Sequence, residues 1–317
     1  MARHLITGGS GFVGAEVAAT LAARGDQVVA FDLRSSPRIE SVIASYPNVS
    51  FVAGEIVEWA GIASVMQEFR PDAVLHFAAV VGVRASLDIP MQTMRVNVEG
   101  SLNVMEAMRL FGVRRMVHMS SEETYGHFES DRITEDHPQH PLMAYGISKV
   151  AVEQFGRSYA ELYGLECLNV RTCWVYGPGL PRPRVPKTLT DAAVAGEPLH
   201  LDAGADFSVD HTYIDDLVDG TIRILDHPNH PYDAYHIASG MAPSLADIVD
   251  IIRELVPGAD LSLGPGTIEF VPGVKAWRKG ALDISRAAEV VGYRPRYDIR
   301  AGIAATLAAQ SDRGKRE

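Results

Sequence analysis

No stretch of about 18 or more consecutive apolar residues occurs in the sequence, and even its greasiest run, residues 13–23, is broken by Glu16, so no segment is expected to span a bilayer. Cysteine is scarce. Cys167 and Cys173 are the only two, six positions apart on one predicted strand, where a rise of about 3.3 Å per residue holds them too far apart for a disulfide. They are expected to be buried thiols. Net positive charge is missing too: the formal charge is −11, which gives a phosphate backbone no general attraction and argues against a primary nucleic-acid binder. The first residues, Met-Ala-Arg-His-Leu-Ile-Thr-Gly-Gly, carry no long apolar core followed by a cleavage site, so a cytoplasmic enzyme is expected. Neither a low-complexity tract nor a repeat at solenoid spacing is found. The cysteines lack zinc spacing and no histidine pair brackets a helical Glu at i, i+4, so no metal is expected.

What is present is the composition of a folded enzyme. Apolar residues make up 47% and charged residues 22% of 317 positions, which excludes general disorder and suits a large domain with a smaller appended lobe. Short apolar runs at 4–7, 27–32, 49–53, 73–77, 115–120 and 165–172 read as strands buried on both faces. Between them lie helical periods: Val13, Val17 and Leu21, then Met94, Val98, Leu102 and Met105, then Val152, Phe155, Tyr159 and Leu162. Such alternation predicts an α/β fold, a doubly wound parallel sheet with helices on both sides. Beyond Gly177 the texture changes to a Pro- and Arg-rich loop and then short strand-like pieces mixed with helices at 245–255 and 301–309. The expected division is 1–176 as the main domain, with 208–220 returning to it, and 177–317 as a mainly substrate-binding lobe.

The glycine run Thr7-Gly8-Gly9-Ser10-Gly11-Phe12-Val13-Gly14 follows the first strand and opens a helix. In that place Gly8 and Gly11 let the backbone turn and approach a pyrophosphate, Gly14 lets helix and sheet pack closely, and the helix N-terminus favours the anion. Asp32 ends the second strand where a carboxylate meets the ribose hydroxyls of a dinucleotide and repels a 2′-phosphate, which favours NAD. Arg34, two residues on, is of the type that accommodates such a phosphate. The plainer reading of the run is a tight turn with a capping Asp. Farther on, Tyr145-Gly146-Ile147-Ser148-Lys149 begins a helix, and at i, i+4 the phenol and the ammonium share one face about 6 Å apart at the backbone. A phenol is a poor base unless a cation stabilises the phenolate, which Lys149 and a nicotinamide ring supply together. Ser120-Ser121-Glu122-Glu123 leaves the carboxyl end of the fifth strand, where ligands of open parallel sheets bind. His76 and His118, inside apolar strands, read as satisfied core or cofactor-wall histidines. The methionines from 94 to 108 read as a packed helix face.

With these motifs the chain resembles the extended short-chain dehydrogenase/reductases, the NAD-dependent epimerase/dehydratase family. The resemblance is carried by Gly8–Gly14, Asp32, Gly54-Glu55-Ile56, His76-Phe77-Ala78-Ala79, Asn97, Ser121, Tyr145 with Lys149, Tyr176-Gly177-Pro178-Gly179 and Tyr213-Ile214-Asp215-Asp216. It implies a Rossmann-type NAD-binding domain with a smaller C-terminal α/β substrate lobe, and a homodimer packed through the helices holding 94–108 and 152–162. Gly8, Gly11, Phe12, Val13, Gly14, Asp32, Arg34, Glu55, Ile56, Ala78, Ala79, Asn97, Tyr145 and Lys149 are the implied cofactor-binding set. By the same resemblance Ser121 orients the substrate hydroxyl, Tyr145 exchanges its proton, and Lys149 holds the nicotinamide ribose and assists the tyrosine. Glu55 stands where the family usually has Asp.

Two departures and one agreement bear on the substrate. In relatives acting on nucleotide sugars an Asn and an Arg that hold the diphosphate occupy the places of Trp174 and Val209, and neither replacement is a diphosphate ligand. Arg182, Arg184, Lys187 and Arg278 remain as candidates for an anion, or as solvated surface charge. Pulling the other way, Glu122 and Glu123 fall where sugar-nucleotide dehydratases carry acids, and Glu123 beside a transient ketone suits acid/base work. Trp174, Arg184, Ser121 and Glu122 are the expected substrate contacts. The reading is therefore an NAD-dependent oxidoreductase acting on a secondary alcohol of a sugar, sugar acid or polyol, leaning to a dehydrogenase on a non-nucleotide substrate. The alternatives are a nucleotide-sugar epimerase or dehydratase that retains NAD and uses Glu123, and a non-catalytic NAD-binding regulatory protein.

Overall fold

The computed structural model describes residues 1–271 and 273–314, with the side chains of 312–314 left aside. Seven strands form the main sheet: β1 (Arg3–Thr7), β2 (Gln27–Asp32), β3 (Val49–Ala53), β4 (Ala73–His76), β5 (Arg115–Met119), β6 (Glu166–Arg171) and β7 (Ala234–His236). Their order is β7-β6-β5-β4-β1-β2-β3, and the pairs β1–β2, β2–β3, β1–β4, β4–β5 and β5–β6 are parallel. The chain winds outward from β1 in both directions, so the order reverses between β1 and β4. That reversal opens a crevice at the strands' carboxyl ends, the usual ligand position in such sheets.

The apolar runs form strands because both sheet faces are covered by helices, which buries all of β4 and four of the five residues of β1. The outer strand β3 departs from the expectation of burial on both faces. Only Val49 is buried there, and Val52 is exposed, because nothing pairs beyond β3. The helix Phe12–Ala23 buries Gly14, Val17, Ala18 and Leu21 on one face, and the helix Gly100–Phe111 buries Val104, Met105 and Met108. One apolar cluster joins the second of these helices to Leu5, Val29, Phe31, Val74 and Met116 of the sheet. Cys167 sits on β6, whereas Cys173 lies beyond the strand's end, and neither thiol is in a disulfide.

The chain divides into two compact units, the first made of Met1–Gly126, Pro138–Arg171 and Val218–Tyr235, the second of His127–His137, Thr172–Leu217 and the residues from His236 on. Of the expected return at 208–220, residues 218–220 fall in the first unit. His211–Tyr213 pairs in parallel with Trp174–Tyr176 in a separate two-stranded sheet, and the strand that joins the main sheet is β7, too short and too polar in sequence to announce itself. In the second unit Asp210 is fully buried and gathers backbone N–H donors from Ser239, Gly240 and Leu282 and the Ser239 hydroxyl. Burial still pushes its pKa up, to about 6. The helix Leu245–Leu255 begins with a reciprocal cap between Ser244 and Asp247.

Candidate active site

The turn from β1 into its helix is tight enough to require glycine. Gly8 adopts φ +73°, and a Cβ there would stand 2.6 Å from the Ala78 nitrogen; one at Gly14 would overlap the Gly8 carbonyl oxygen. The Phe12–Ala23 helix starts after exposed Gly11 with no side-chain cap on its N-terminal N–H groups. Asp32 closes one side: its carboxylate accepts from the backbone N–H groups of Ser10 at 3.0 Å and Leu33 at 2.8 Å, which ties the glycine turn to the end of β2. Arg34 is exposed beyond it. Glu55, exposed, and Ile56, buried, follow β3, and Ala78 and Ala79 follow β4. Of the residues predicted to hold a dinucleotide, all but Asn97, Tyr145 and Lys149 thus come from the carboxyl ends of four adjacent strands, β3, β2, β1 and β4. These groups suit NAD: a cradle without Cβ atoms for the pyrophosphate, and a carboxylate where ribose hydroxyls need an acceptor.

Asn97 is held by the fold itself. It lies in a π-helical turn, Arg95–Glu99, where the hydrogen-bond ladder slips between the helices Pro90–Met94 and Gly100–Phe111. Its amide accepts from Val80 N at 2.7 Å and donates to Val80 O at 3.0 Å and to Ser148 Oγ at 2.9 Å. Both ends of the side chain are engaged, and it clamps the segment after β4 to the helix that carries Tyr145.

That helix, Ala144–Tyr163, buries Tyr145, Lys149, Val152 and Gly156 along one face. Its first turn rests on the segment after β5, since a Cβ at Gly146 would collide with the Glu123 carbonyl oxygen. Close packing therefore brings the helix start against Ser121, Glu122 and Glu123, all buried. Ser121 Oγ donates to Glu122 Oε2 at 2.8 Å and accepts from the Glu123 N–H at 3.2 Å. Lys149 Nζ lies 5.8 Å from the centre of the Tyr145 ring and donates to the Met119 carbonyl at 2.7 Å. Burial lowers the Lys149 pKa to about 8, with the Glu153 carboxylate opposing.

Behind this front lies a buried polar group centred on Glu153. Glu153, fully buried one turn after Lys149, accepts from Ser120 Oγ at 2.5 Å, Arg171 Nε at 3.0 Å, Arg171 Nη2 at 2.6 Å and Gln139 Nε2 at 2.9 Å. Arg171 Nη1 continues to the Tyr125 hydroxyl at 2.7 Å. Although burial alone pushes a carboxyl upward, these donors hold Glu153 below the ordinary Glu value. Only the i, i+4 spacing of Glu153 from Lys149 hinted at the arrangement. His76 and His118 are hydrogen-bonded core histidines, as expected, and His118 Nε2 also faces Lys149 Nζ at 3.4 Å.

In the second unit Trp174 is buried beside Phe207 and His211, and the Arg184 guanidinium stacks 4.0 Å above its ring centre. Val209 is fully buried. Two of the cations considered for an anion are already paired with carboxylates, Lys187 with Asp191 and Arg278 with Asp131. Arg182 is exposed. Among the described residues, no three His, Cys, Asp or Glu side chains are grouped to hold a metal ion, and no helix is long and apolar enough to cross a membrane.

A doubly wound sheet with a glycine cradle and a buried Ser, Tyr and Lys constellation defines a dinucleotide-dependent oxidoreductase fold. Residues 4–238 match the NAD dependent epimerase/dehydratase family, and the chain belongs to it; its enzymes use NAD. The chain is 32% identical over 312 residues to a UDP-glucose 4-epimerase of Mycolicibacterium smegmatis, covering 96% of this chain and 97% of that one. It is 30% identical over 328 residues to a dTDP-glucose 4,6-dehydratase of Xanthomonas campestris, covering 97% and 92%. Among solved structures, the UDP-glucose 4-epimerase of Thermotoga maritima with UDP-glucose superposes with a TM-score of 0.88 at 26% identity, covering 99% of this chain and 100% of the other. These relatives favour the epimerase or dehydratase alternative over the dehydrogenase on a non-nucleotide substrate that Trp174 and Val209 suggested.

Proposed function

We propose that the protein is a nucleotide-sugar dehydratase or epimerase that keeps its NAD and returns the hydride to its own substrate. The observation that carries this reading is the buried Glu122 and Glu123 beside Ser121, under the first turn of the Tyr145 helix. A simple alcohol oxidation has no use for two extra carboxylates. Proton removal next to a ketone does, and of the two cycles the acid pair favours elimination. The identities to a UDP-sugar epimerase and a dTDP-sugar dehydratase support the substrate class.

In this scheme NAD supplies the hydride acceptor and later the hydride donor. Tyr145, as phenolate stabilised by the Lys149 ammonium, takes the proton of the sugar hydroxyl being oxidised. Ser121 releases its hydrogen bond from Glu122 and gives it to the same oxygen. Glu123 removes the proton from the carbon beside the new ketone, Glu122 protonates the hydroxyl that departs as water, and Glu123 then returns its proton to carbon. Tyr145 ends with one proton more and Glu122 with one fewer, and exchange between them resets the site.

Exposed apolar side chains on the two helices expected at a dimer contact, Leu110, Phe111, Phe155, Leu162 and Tyr163, support a homodimer. Sedimentation as a monomer at micromolar concentration would remove it. A cytoplasmic location goes with the same reading. A second reading, a dehydrogenase on a sugar without a nucleotide, is favoured by Trp174 and Val209, which offer a diphosphate neither an amide nor a guanidinium.

The first experiment is to denature the purified protein and assay the supernatant for NAD and NADH. Near-stoichiometric cofactor supports the hydride-returning cycle, and UDP-glucose and dTDP-glucose are then tested for an epimer or for a product lighter by one water. An empty protein that accumulates NADH on free sugars or sugar acids overturns the proposal in favour of the second reading.

A further inference from the structure

Four polar side chains stand in one row across the middle of the main sheet. The strand register sets Thr7 of β1 beside His76 of β4, His76 beside His118 of β5, and His118 beside Asn169 of β6. All four are buried, and the two imidazoles stack with centres 5.8 Å apart. Buried imidazoles need partners, and Asn169 at one end of the row and Ser101 beside His76 fix which nitrogen carries each proton.

Asn169 Nδ2 donates to the Asp233 carbonyl at 3.0 Å, so its oxygen is the end turned to His118 Nδ1, also at 3.0 Å. An amide oxygen only accepts. His118 therefore carries its proton on Nδ1 and presents a bare Nε2, the atom 3.4 Å from Lys149 Nζ. His76 is the opposite tautomer. Ser101 donates its hydroxyl proton to the Asn97 carbonyl at 2.5 Å, accepts from His76 Nε2 at 2.8 Å, and leaves Nδ1 to accept from Thr7 Oγ1 at 2.6 Å.

We propose that His118 is a positioning residue for Lys149: as a neutral Nδ1–H imidazole it accepts a hydrogen bond from the ammonium and holds that charge in place beside Tyr145. The groups facing Lys149 are His118 and His76 from the sheet, Tyr145 and Glu153 from its own helix, and Arg171 of β6 through Glu153. Of these, His118 is the side chain at hydrogen-bonding reach of Nζ. Burial, and then the charge of Lys149, keep the His118 pKa well below the ordinary histidine value, so it is neutral at neutral pH. In that form it acts as an acceptor; protonated, it would set a second cation against the ammonium.

The inference rests on the proposed function only for its kinetic readout. The direct test is 15N NMR of the full-length holoprotein labelled in histidine and lysine, which is tractable with five lysines in the chain. The expected spectrum shows His118 protonated at Nδ1 and unprotonated at Nε2 at neutral pH. His118→Phe removes the acceptor and should move the Lys149 titration toward acid by about 0.5 to 1 pH unit, with the alkaline limb of kcat moving equally and KM unchanged. His118→Gln keeps a carbonyl acceptor and should restore most of the shift. An Nε2–H tautomer in the wild type, or a Lys149 titration unmoved in His118→Phe, overturns the proposal. Should no sugar nucleotide turn over, the proposed function fails by itself while the wild-type tautomer and the lysine titration still decide the role of His118.

Discussion

The carboxyl end of β5 and the strand pair Trp174–Tyr176 with His211–Tyr213 are both buried, yet they handle polar groups in opposite ways. Around Lys149, the side chains of Ser120, His118, Glu153 and Arg171 all have hydrogen-bond partners. Around Trp174, the buried His211 Nε2 and Tyr176 hydroxyl have none among the described residues. The difference follows the charge. A buried ion left alone is far more costly than a buried neutral group, so the charged region is fully networked while the aromatic region tolerates neutral orphans. His211 fits this account, since burial and then Arg184 push its pKa down to about 3 and keep the ring neutral.

The contrast is broken most strongly at the chemistry itself. Tyr145→Phe keeps the ring and its packing but removes the proposed proton carrier, so turnover should fall by about 10² to 10⁴-fold with retained NAD unchanged. A variant that turns over normally sinks the assignment. Next comes Glu153→Ala, which leaves the Arg171 guanidinium buried without its carboxylate and should cost about 3–5 kcal/mol in denaturant unfolding. A loss no greater than that of a surface mutation would mean that the network carries little stability.

A gentler probe is pH. Lys149 is cationic below its pKa of about 8 and neutral above it, and the proposed role needs the cation, so kcat should decline as pH rises through that value. A profile flat to well above it would show the ammonium held by more than the groups named. The smallest effect belongs to the aromatic region. His211→Phe removes an orphaned neutral acceptor along with its bond to the Val209 carbonyl, so stability should change by no more than about 1 kcal/mol in either direction. A large loss would reveal a partner for Nε2 and erase the distinction between the two regions.

Much of the fold and the front of the site was legible in sequence because each signal is local. β2 and β3 begin and end where their apolar runs do, and the glycine run lies at the turn its spacing required. Tyr145 and Lys149 share a face because four residues make one helical turn. Asn97 shows the limit of motif reading, since no motif announces that it clamps Val80 to Ser148. The strand β7 escaped notice because three residues of mixed polarity carry no period, and the pairing of His211–Tyr213 escaped because partner choice among short strands is made by packing.

The sequence by itself determined the alternation of strands and helices, the turn that only glycine allows, Asp32 at the end of β2 and the one-turn spacing of phenol and ammonium. All of these are short-range consequences of backbone geometry and side-chain period. Only the tertiary structure decided that Thr7, His76, His118 and Asn169 form one row, that Glu153 closes on Arg171 and Ser120, and that an imidazole nitrogen faces Lys149. Those neighbours come from strands and helices far apart in the chain. Register across a sheet and helix docking set them, and no local pattern encodes either.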